Sequence, residues 1–220
     1  MPSVKIPKHV TENDMTPFVD IGFLILTFFI MATKFKPPEA VETTPPSSVS
    51  SKELEQKDGV LVTMDKDGRV FFTMQVEKDP APIQAVMQNM NTSRGLGLTD
   101  AEIAAFIKEP IVGVPIAQLK QFMGLSEEQK KNFRMPGIPV EDSANNELYL
   151  WVRDAVSAFS GKQINYMIKG DNNAKYPNFK NVLAAFKRNE IFKFQLVTAP
   201  EDVPEGTDLF RVRRQQQQGG

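Results

Sequence analysis

Residues 14–33 read DMTPFVDIGFLILTFFIMAT, an almost unbroken apolar stretch near the start of the chain. The part without any charge, Ile21 to Thr33, would form a helix of about 20 Å, which is too short for a hydrocarbon core of about 30 Å. Two interpretations remain. The run is the apolar region of a secretory signal peptide, or the helix begins near Met15 and reaches about 28 Å, enough to span a bilayer.

The residues around this run favour a membrane-spanning helix over residues 15–35. No small-residue cleavage site follows the run, because residues 34–38 read KFKPP. Pro17 suits a first helical turn, and Thr16 or Asp14 can accept hydrogen bonds from the free N–H groups of that turn. The lysines that follow the run can extend to the membrane interface.

Asp20 would then lie about one turn inside the membrane. A carboxylate costs up to about 2.5–3.5 kcal/mol at mid-helix, and less near the end. One explanation is stabilisation by the helix dipole, but this is worth only about 0.3–1 kcal/mol. The other explanation is a proton-carrying group that faces a protein partner.

Thr27 and Lys34 follow Asp20 at steps of seven residues, so the three lie on nearly one stripe of the helix. Thr27 is therefore a possible channel-lining residue. The alternative is a threonine that only bonds its own backbone, as is common in membrane helices.

The composition excludes several kinds of site. The chain has 220 residues and a net charge of −1, so its bulk charge gives no case for nucleic-acid binding. It has no cysteine, which excludes disulfides, Cys-ligated metals and thiol nucleophiles. The single histidine, His9, lies in a polar N-terminal segment. Asp65 and Asp67 are paired carboxylates, but they lie in a turn, so we predict no enzyme activity, no metal and no cofactor.

The rest of the chain divides into a linker, a domain and a tail. Residues 36–58 are rich in Pro and Ser, which is typical of an extended, poorly packed tether. Residues 59–200 show both strand and helix patterns and predict an α/β (α+β) domain. Residues 201–220 predict a disordered tail, and residues 1–14 precede the helix.

The predicted domain begins with a hairpin and ends with a strand–helix–strand unit. Strand patterns at residues 59–64 and 69–74 flank the turn signal Asp-Lys-Asp-Gly, which lacks the other ligands of a calcium loop. Residues 80–160 are mostly helical by pattern, with capping boxes at Thr99 and Ser126. A final strand, helix and strand are predicted at residues 163–168, 177–189 and 192–198. If these two strands share a sheet, they form a parallel crossover.

The segment Asp14 to Asp20, followed by the apolar run, resembles the transmembrane signature of the ExbD and TolR proteins. These are small subunits of proton-driven motors in Gram-negative envelopes. Their pattern is a polar residue, an apolar residue, Thr-Pro, two apolar residues and an essential Asp, so Thr16, Pro17 and Asp20 stand at the matching positions. The hairpin and the terminal unit resemble the periplasmic domain of that family, with Tyr176 at the position of its Tyr.

The chain departs from the family in length. Usual members are about two-thirds as long, and the excess lies mainly within a helical insertion at residues 75–146. We find no family counterpart for this stretch in the sequence, which leaves the packing and the partner surface of the domain open.

The resemblance implies an ExbD-like subunit, with Asp20 as the proton carrier. Its implied partners are a pentamer of multi-span ExbB-like proteins, a second copy of the chain and a TonB-like transducer that powers outer-membrane import. It also implies a single-pass inner-membrane protein with a cytoplasmic N-terminus and a periplasmic domain. This orientation comes from the resemblance alone, because lysines on both sides of the helix leave the orientation undecided by charge. Alternatives are a TolR-like or gliding/secretion-type stator subunit, or a membrane-anchored periplasmic scaffold or binding protein.

Overall fold

The computed structural model of the protein describes residues 15–32, 39–48, 58–141 and 145–200. The chain divides into two compact units, Met1–Pro38 and Glu39–Gly220. The described part of the first unit is Met15 followed by helix α1, Thr16–Ala32. The predicted N-terminal segment and the predicted tail lie outside the described residues.

The second unit is a mixed α/β domain. In chain order its elements are β1 (Ser47–Ser48), β2 (Gly59–Met64), β3 (Val70–Gln75), α2 (Ala81–Arg94), α3 (Asp100–Lys108), β4 (Ile111–Val112), α4 (Ile116–Met123), α5 (Glu127–Asn132), α6 (Glu147–Ala158), β5 (Asn165–Gly170), α7 (Tyr176–Arg188), β6 (Gln195–Val197) and β7 (Ala199–Pro200). Five strands form one sheet in the order β4-β3-β2-β5-β6, and β1 pairs with β7 in a separate two-stranded sheet. This confirms the predicted mixture of strands and helices.

The predicted hairpin forms the centre of the sheet. β2 and β3 are antiparallel, with Val60 opposite Met74. The turn closes through hydrogen bonds from Asp65 N to Arg69 O at 3.1 Å and from Gly68 N to Asp65 O at 3.0 Å. Gly68 has a φ of 82°, a left-handed conformation that glycine adopts without steric cost. The turn signal in the sequence therefore has the structure that it predicts.

The core lies between the sheet and the helices. Alternate residues of the hairpin, among them Val60, Val62 and Phe72, are fully buried in one apolar cluster with side chains from α2, α6 and α7. This period of two places one face of each strand against the helices. α2 packs on α6, and α6 packs on α7, so the three helices share that core.

The terminal strand–helix–strand unit has the predicted topology. β5 is parallel to β2 and to β6, so α7 connects two neighbouring parallel strands. The two capping boxes are confirmed as well: Thr99 caps α3 with Glu102, and Ser126 caps α5 with Gln129. β5 begins later than predicted and β6 is shorter.

The predicted helical insertion at residues 75–146 is not purely helical. Within it, β4 extends the sheet by pairing with β3, with Val112 opposite Phe72. Its helices also contribute to the main core, where Val86, Phe106 and Leu119 are buried in the same cluster as the hairpin. The stretch is therefore part of the single core of the domain, which helical periodicity alone did not indicate.

The described part of the predicted linker, residues 36–58, is hydrogen-bonded to the domain. Residues 39–48 contain a bend at residues 40 and 41 and end in strand β1. β1 pairs with β7 in parallel, and Ala199 N donates to Pro46 O at 3.0 Å. A Pro/Ser-rich composition indicates an extended chain, but it does not reveal whether a distant strand pairs with it. Residues 36–38 and 49–57 lie outside the described residues.

The predicted span over residues 15–35 is not reproduced in full. The described helix ends at Ala32, and residues 33–35 lie outside the described part of the chain. No helix within the described ranges is long and apolar enough to cross a membrane.

Candidate functional site

Helix α1 begins with the Thr-Pro pair that the sequence singles out. Met15 O accepts hydrogen bonds from Phe18 N and Val19 N, both at 3.1 Å, so the first turn is closed around Pro17. Pro17 itself has no N–H to satisfy there. Asp20 follows one turn after Thr16, so the two residues lie on the same side of the helix.

Apart from Thr16, Asp20 and Thr27, the surface of α1 is apolar on every side. Its large apolar side chains, together with Met15 just before it, are between 51% and 88% exposed within the chain. A helix that is hydrophobic all round is normally covered by other protein or by lipid. The chain therefore presents in α1 a surface that calls for a partner of low polarity.

Asp20 is the only ionisable side chain of α1. It is exposed, and within the described ranges no salt bridge or side-chain hydrogen bond involves its carboxylate. The chemistry available at this position is the uptake and release of one proton. The site therefore consists of a single carboxyl group on an otherwise apolar helix.

Thr27 shares the stripe of Asp20 but has its hydroxyl occupied. Thr27 Oγ1 donates towards Phe23 O and Leu24 O, at 2.9 Å each. Such backbone bonding is common for threonine in membrane helices, and the channel-lining role of Thr27 stays a prediction. The third residue of that stripe, Lys34, lies outside the described residues.

In the second unit, the loop after β5 holds the residues that resemble the family's periplasmic domain. Asp171 Oδ1 accepts from Asn173 N at 2.9 Å, and its Oδ2 accepts from Thr44 N at 2.9 Å. These two backbone hydrogen bonds lower the pKa of Asp171 below its ordinary value. Tyr176 is the first residue of α7 and is 71% exposed, so its ring is available on the surface.

Sequence reasoning missed the connection between this loop and the segment before the domain. Lys169 Nζ lies 2.6 Å from Glu39 Oε2, and Asn172 N donates to Thr44 O at 2.8 Å. No spacing rule pairs residues so far apart in the chain. The one signal in the sequence was a basic residue inside a predicted strand. Its burial, at 12% exposure, and its acidic partner are visible only in the structure.

The turn of the hairpin contains a second missed contact. Asp65 is buried, and its Oδ2 lies 2.6 Å from Arg69 Nη2. Arg69 Nη1 also donates to Met135 O at 3.0 Å, which connects the turn to the end of the predicted insertion. Asp65 is therefore engaged in an ion pair that stabilises the fold.

Comparison with protein families gives one match. Residues 7–108 match the family model described as Biopolymer transport protein ExbD/TolR. The matched range contains α1 and continues through the hairpin to the end of α3, so it enters the stretch that the sequence assigned to an insertion. No curated protein and no solved structure gives a match to the chain.

Proposed function

We propose that this chain, whose residues 7–108 match the ExbD/TolR family model, is the ExbD-like subunit of an inner-membrane motor driven by the proton-motive force. In this proposal residues 15–35 span the inner membrane, with the N-terminus in the cytoplasm and the domain in the periplasm. A pentamer of multi-span ExbB-like proteins surrounds α1 and the same helix of a second copy. The work of the motor reaches a TonB-like protein and energises import across the outer membrane.

The observation that supports this proposal is the isolation of Asp20. It is the one group in α1 that can exchange a proton, and all large side chains around it are apolar. A simple anchor would be more stable with an apolar residue at this position, since a charged group inside a membrane is costly. A proton carrier, in contrast, requires a titratable group there.

The proposed mechanism uses two states of Asp20. The protonated side chain is neutral and can face an apolar environment, whereas the ionised side chain is stable only where water or a polar partner group solvates it. Each proton that crosses 100 mV supplies about 2.3 kcal/mol. Alternation between the two states would drive α1 past successive equivalent positions of the surrounding ring.

The test compares Asp20→Asn with Asp20→Glu. Asn keeps the size and hydrogen bonding of the side chain but cannot exchange a proton, so energised import should be lost while the chain still co-purifies with the multi-span partner. Glu titrates but is longer by a methylene, so we expect it to restore part of the import. Growth on a nutrient that requires energised import is the measurement, at equal expression of all variants.

Asp14→Asn is the matched control, because it removes an acid just before the apolar run. We expect it to retain import. If Asp20→Asn also grows normally, Asp20 carries no proton, and the chain is better described as a membrane-anchored periplasmic scaffold.

A further inference from the structure

Residues 39–48, here called the strap, connect α1 to the domain and are themselves attached to the domain. The attachment has three parts. Glu39 forms an ion pair with Lys169 of β5, Thr44 bonds the loop after β5, and β1 pairs with β7. The strap thus contacts two regions that follow it by more than a hundred residues.

The middle contact holds the strap by its backbone. Thr44 N donates to Asp171 Oδ2 at 2.9 Å, and Thr44 O accepts from Asn172 N at 2.8 Å. Both polar groups of one strap residue are therefore satisfied by one loop. This reciprocal pairing fixes the register of the strap on the domain, as a ladder does between two strands.

The attachment is shallow. Glu39 is 54% exposed, Thr44 is exposed, and the ladder between β1 and β7 is only two residues long. The strap contributes no side chain to the buried apolar cluster of the domain. Segments with few buried apolar contacts and exposed hydrogen bonds belong to the least stable parts of a fold, which open without global unfolding.

One buried polar atom of the strap would gain hydrogen bonds to water after release. Thr43 Oγ1 is buried and has no hydrogen-bond partner in the described part of the chain. A buried polar group without a partner destabilises the state that buries it, and exposure to water removes that penalty. This opposes the ion pair and the backbone bonds, and it brings the docked and released states closer in free energy.

We propose that the strap is releasable and sets the length of chain between α1 and the folded domain. With the strap docked, only residues 33–38 connect Ala32 to Glu39, which limits the connection to about 25 Å. With the strap released, the connection runs from Ala32 to Asp58 and can extend to about 90 Å. Release would therefore let the domain reach partners far from α1, whatever work the chain performs.

The test measures the position of the strap in the full-length chain in detergent micelles. The chain has no cysteine, so Glu42→Cys and Lys187→Cys introduce the only two attachment sites for spin labels. Both positions are exposed. Pulsed EPR then gives the distribution of distances between strap and α7.

Charge reversal tests how much the ion pair between Glu39 and Lys169 contributes to docking of the strap. Lys169→Glu places two acids together, and we expect a longer and broader component to appear at the expense of the short distance. Glu39→Lys combined with Lys169→Glu restores the pair and should restore the short distance. Lys162→Glu is the matched control: it breaks the pair with Asp79, at 3.0 Å, which involves no strap residue, and should leave the distribution unchanged.

The results decide the proposal without reference to import. A wild-type distribution with no short component shows that the strap does not dock. A Lys169→Glu distribution identical to wild type shows that the pair does not control docking. If Lys169→Glu unfolds the domain, which Trp151 fluorescence reports, the charge-swapped double variant decides: a long distance in a folded double variant overturns the proposal.

A disulfide then tests the need for release. Ser47→Cys with Ala199→Cys joins two residues that are paired in the ladder between β1 and β7. If the chain supports import, we expect oxidation to abolish it and reduction to recover it. Normal import by a chain shown to be fully crosslinked would mean that release is not required. If instead the proposed motor function is wrong, the chain without the disulfide will also fail to support import, while the EPR distances will still report docking of the strap.

Discussion

Trp151 of α6 lies against Phe72 of β3, with their ring centroids 5.8 Å apart, and both side chains are fully buried. This contact joins the helical layer to the hairpin at the centre of the sheet. Trp151→Ala should lower the free energy of unfolding by about 3–5 kcal/mol, because the cavity cannot be refilled without moving the sheet. Urea denaturation followed by circular dichroism measures this change.

Phe133→Ala is the control for this prediction, since Phe133 is 38% exposed and should cost far less. Trp151 is also the only tryptophan, so its fluorescence reports unfolding of this core in every variant that keeps it. Equal losses of stability in the two alanine variants would contradict the central role of the contact.

Arg69 should be much harder to replace than Arg134. Arg69→Met leaves the buried carboxylate of Asp65 without its partner, which should cost about 3–5 kcal/mol. Arg134 lies 3.5 Å from Asp67 and is 79% exposed, so Arg134→Met should cost less than about 1 kcal/mol. Thermal unfolding of the two variants tests this ranking, and a similar melting temperature for both would refute it.

Gly68→Ala should destabilise the domain more than Gly95→Ala. Both glycines have a left-handed φ, of 82° and 62°, so each substitution adds roughly 1–2 kcal/mol of backbone strain. A Cβ at Gly68 would also overlap the side-chain amide of Asn178, whereas a Cβ at Gly95 meets nothing within 4 Å. The difference in unfolding free energy isolates the contact between the hairpin turn and α7. Adding Asn178→Ala to Gly68→Ala should recover the unfolding free energy that is lost through the overlap, but not the part that is lost through backbone strain.

The stability contribution of Glu102 should disappear in acid. Its pKa lies below the usual value of 4.5, because Lys120 Nζ donates a hydrogen bond to it at 2.7 Å and Thr99 N donates another. A pKa that is lower in the folded state means that the contribution is present above the unfolded pKa and is lost as pH falls through the folded value. The difference in unfolding free energy between wild type and Glu102→Gln should be constant near neutral pH and shrink below about pH 4.5.

Glu109→Gln, at the exposed C-terminal end of the same helix, is the control for Glu102. The unfolding free energy of this variant should differ little from that of wild type at neutral pH. A gap for Glu102→Gln that stays the same from neutral to acidic pH would contradict the role of these hydrogen bonds.

Thr27→Val should leave proton-driven function close to wild type. Its hydroxyl donates to carbonyls of the preceding turn, so it has no free proton to offer a water chain beside α1. Valine keeps the shape of the side chain, and the helix should be retained. Proton flux through reconstituted complexes, compared with Asp20→Asn, is the measurement. A loss as large as that of Asp20→Asn would show that Thr27 lines the proton path.

Local signals in the sequence predicted the elements but not all of their contacts. The turn at Asp65 to Gly68, the capping box of Thr99 and the apolar face of α7 each depend on residues close in the chain, so their patterns are visible in sequence. The pairing of β1 with β7 joins two-residue strands across most of the domain, and such strands have no period to detect. Lys169 shows the same limit, because its partner is set by tertiary register.

The candidate site shows a similar division. The isolation of Asp20 could be read directly from composition, since it requires only that no other ionisable residue lies in α1. The docking of the strap could not be read, because its hydrogen bonds use the backbone of Thr44 and Pro46, which every sequence supplies.

The pairing of β2 has a consequence for how the chain acquires its structure during synthesis. β2 lies between β3, which follows directly, and β5, which pairs Tyr166 with Val60. The hairpin can form early, but the other edge of β2 stays open until the chain has been made as far as Gly170. Exposed strand edges and late long-range pairing slow folding and favour aggregation. The second edge of β2 is thus exposed in the nascent domain for as long as the residues between the hairpin and β5 take to emerge.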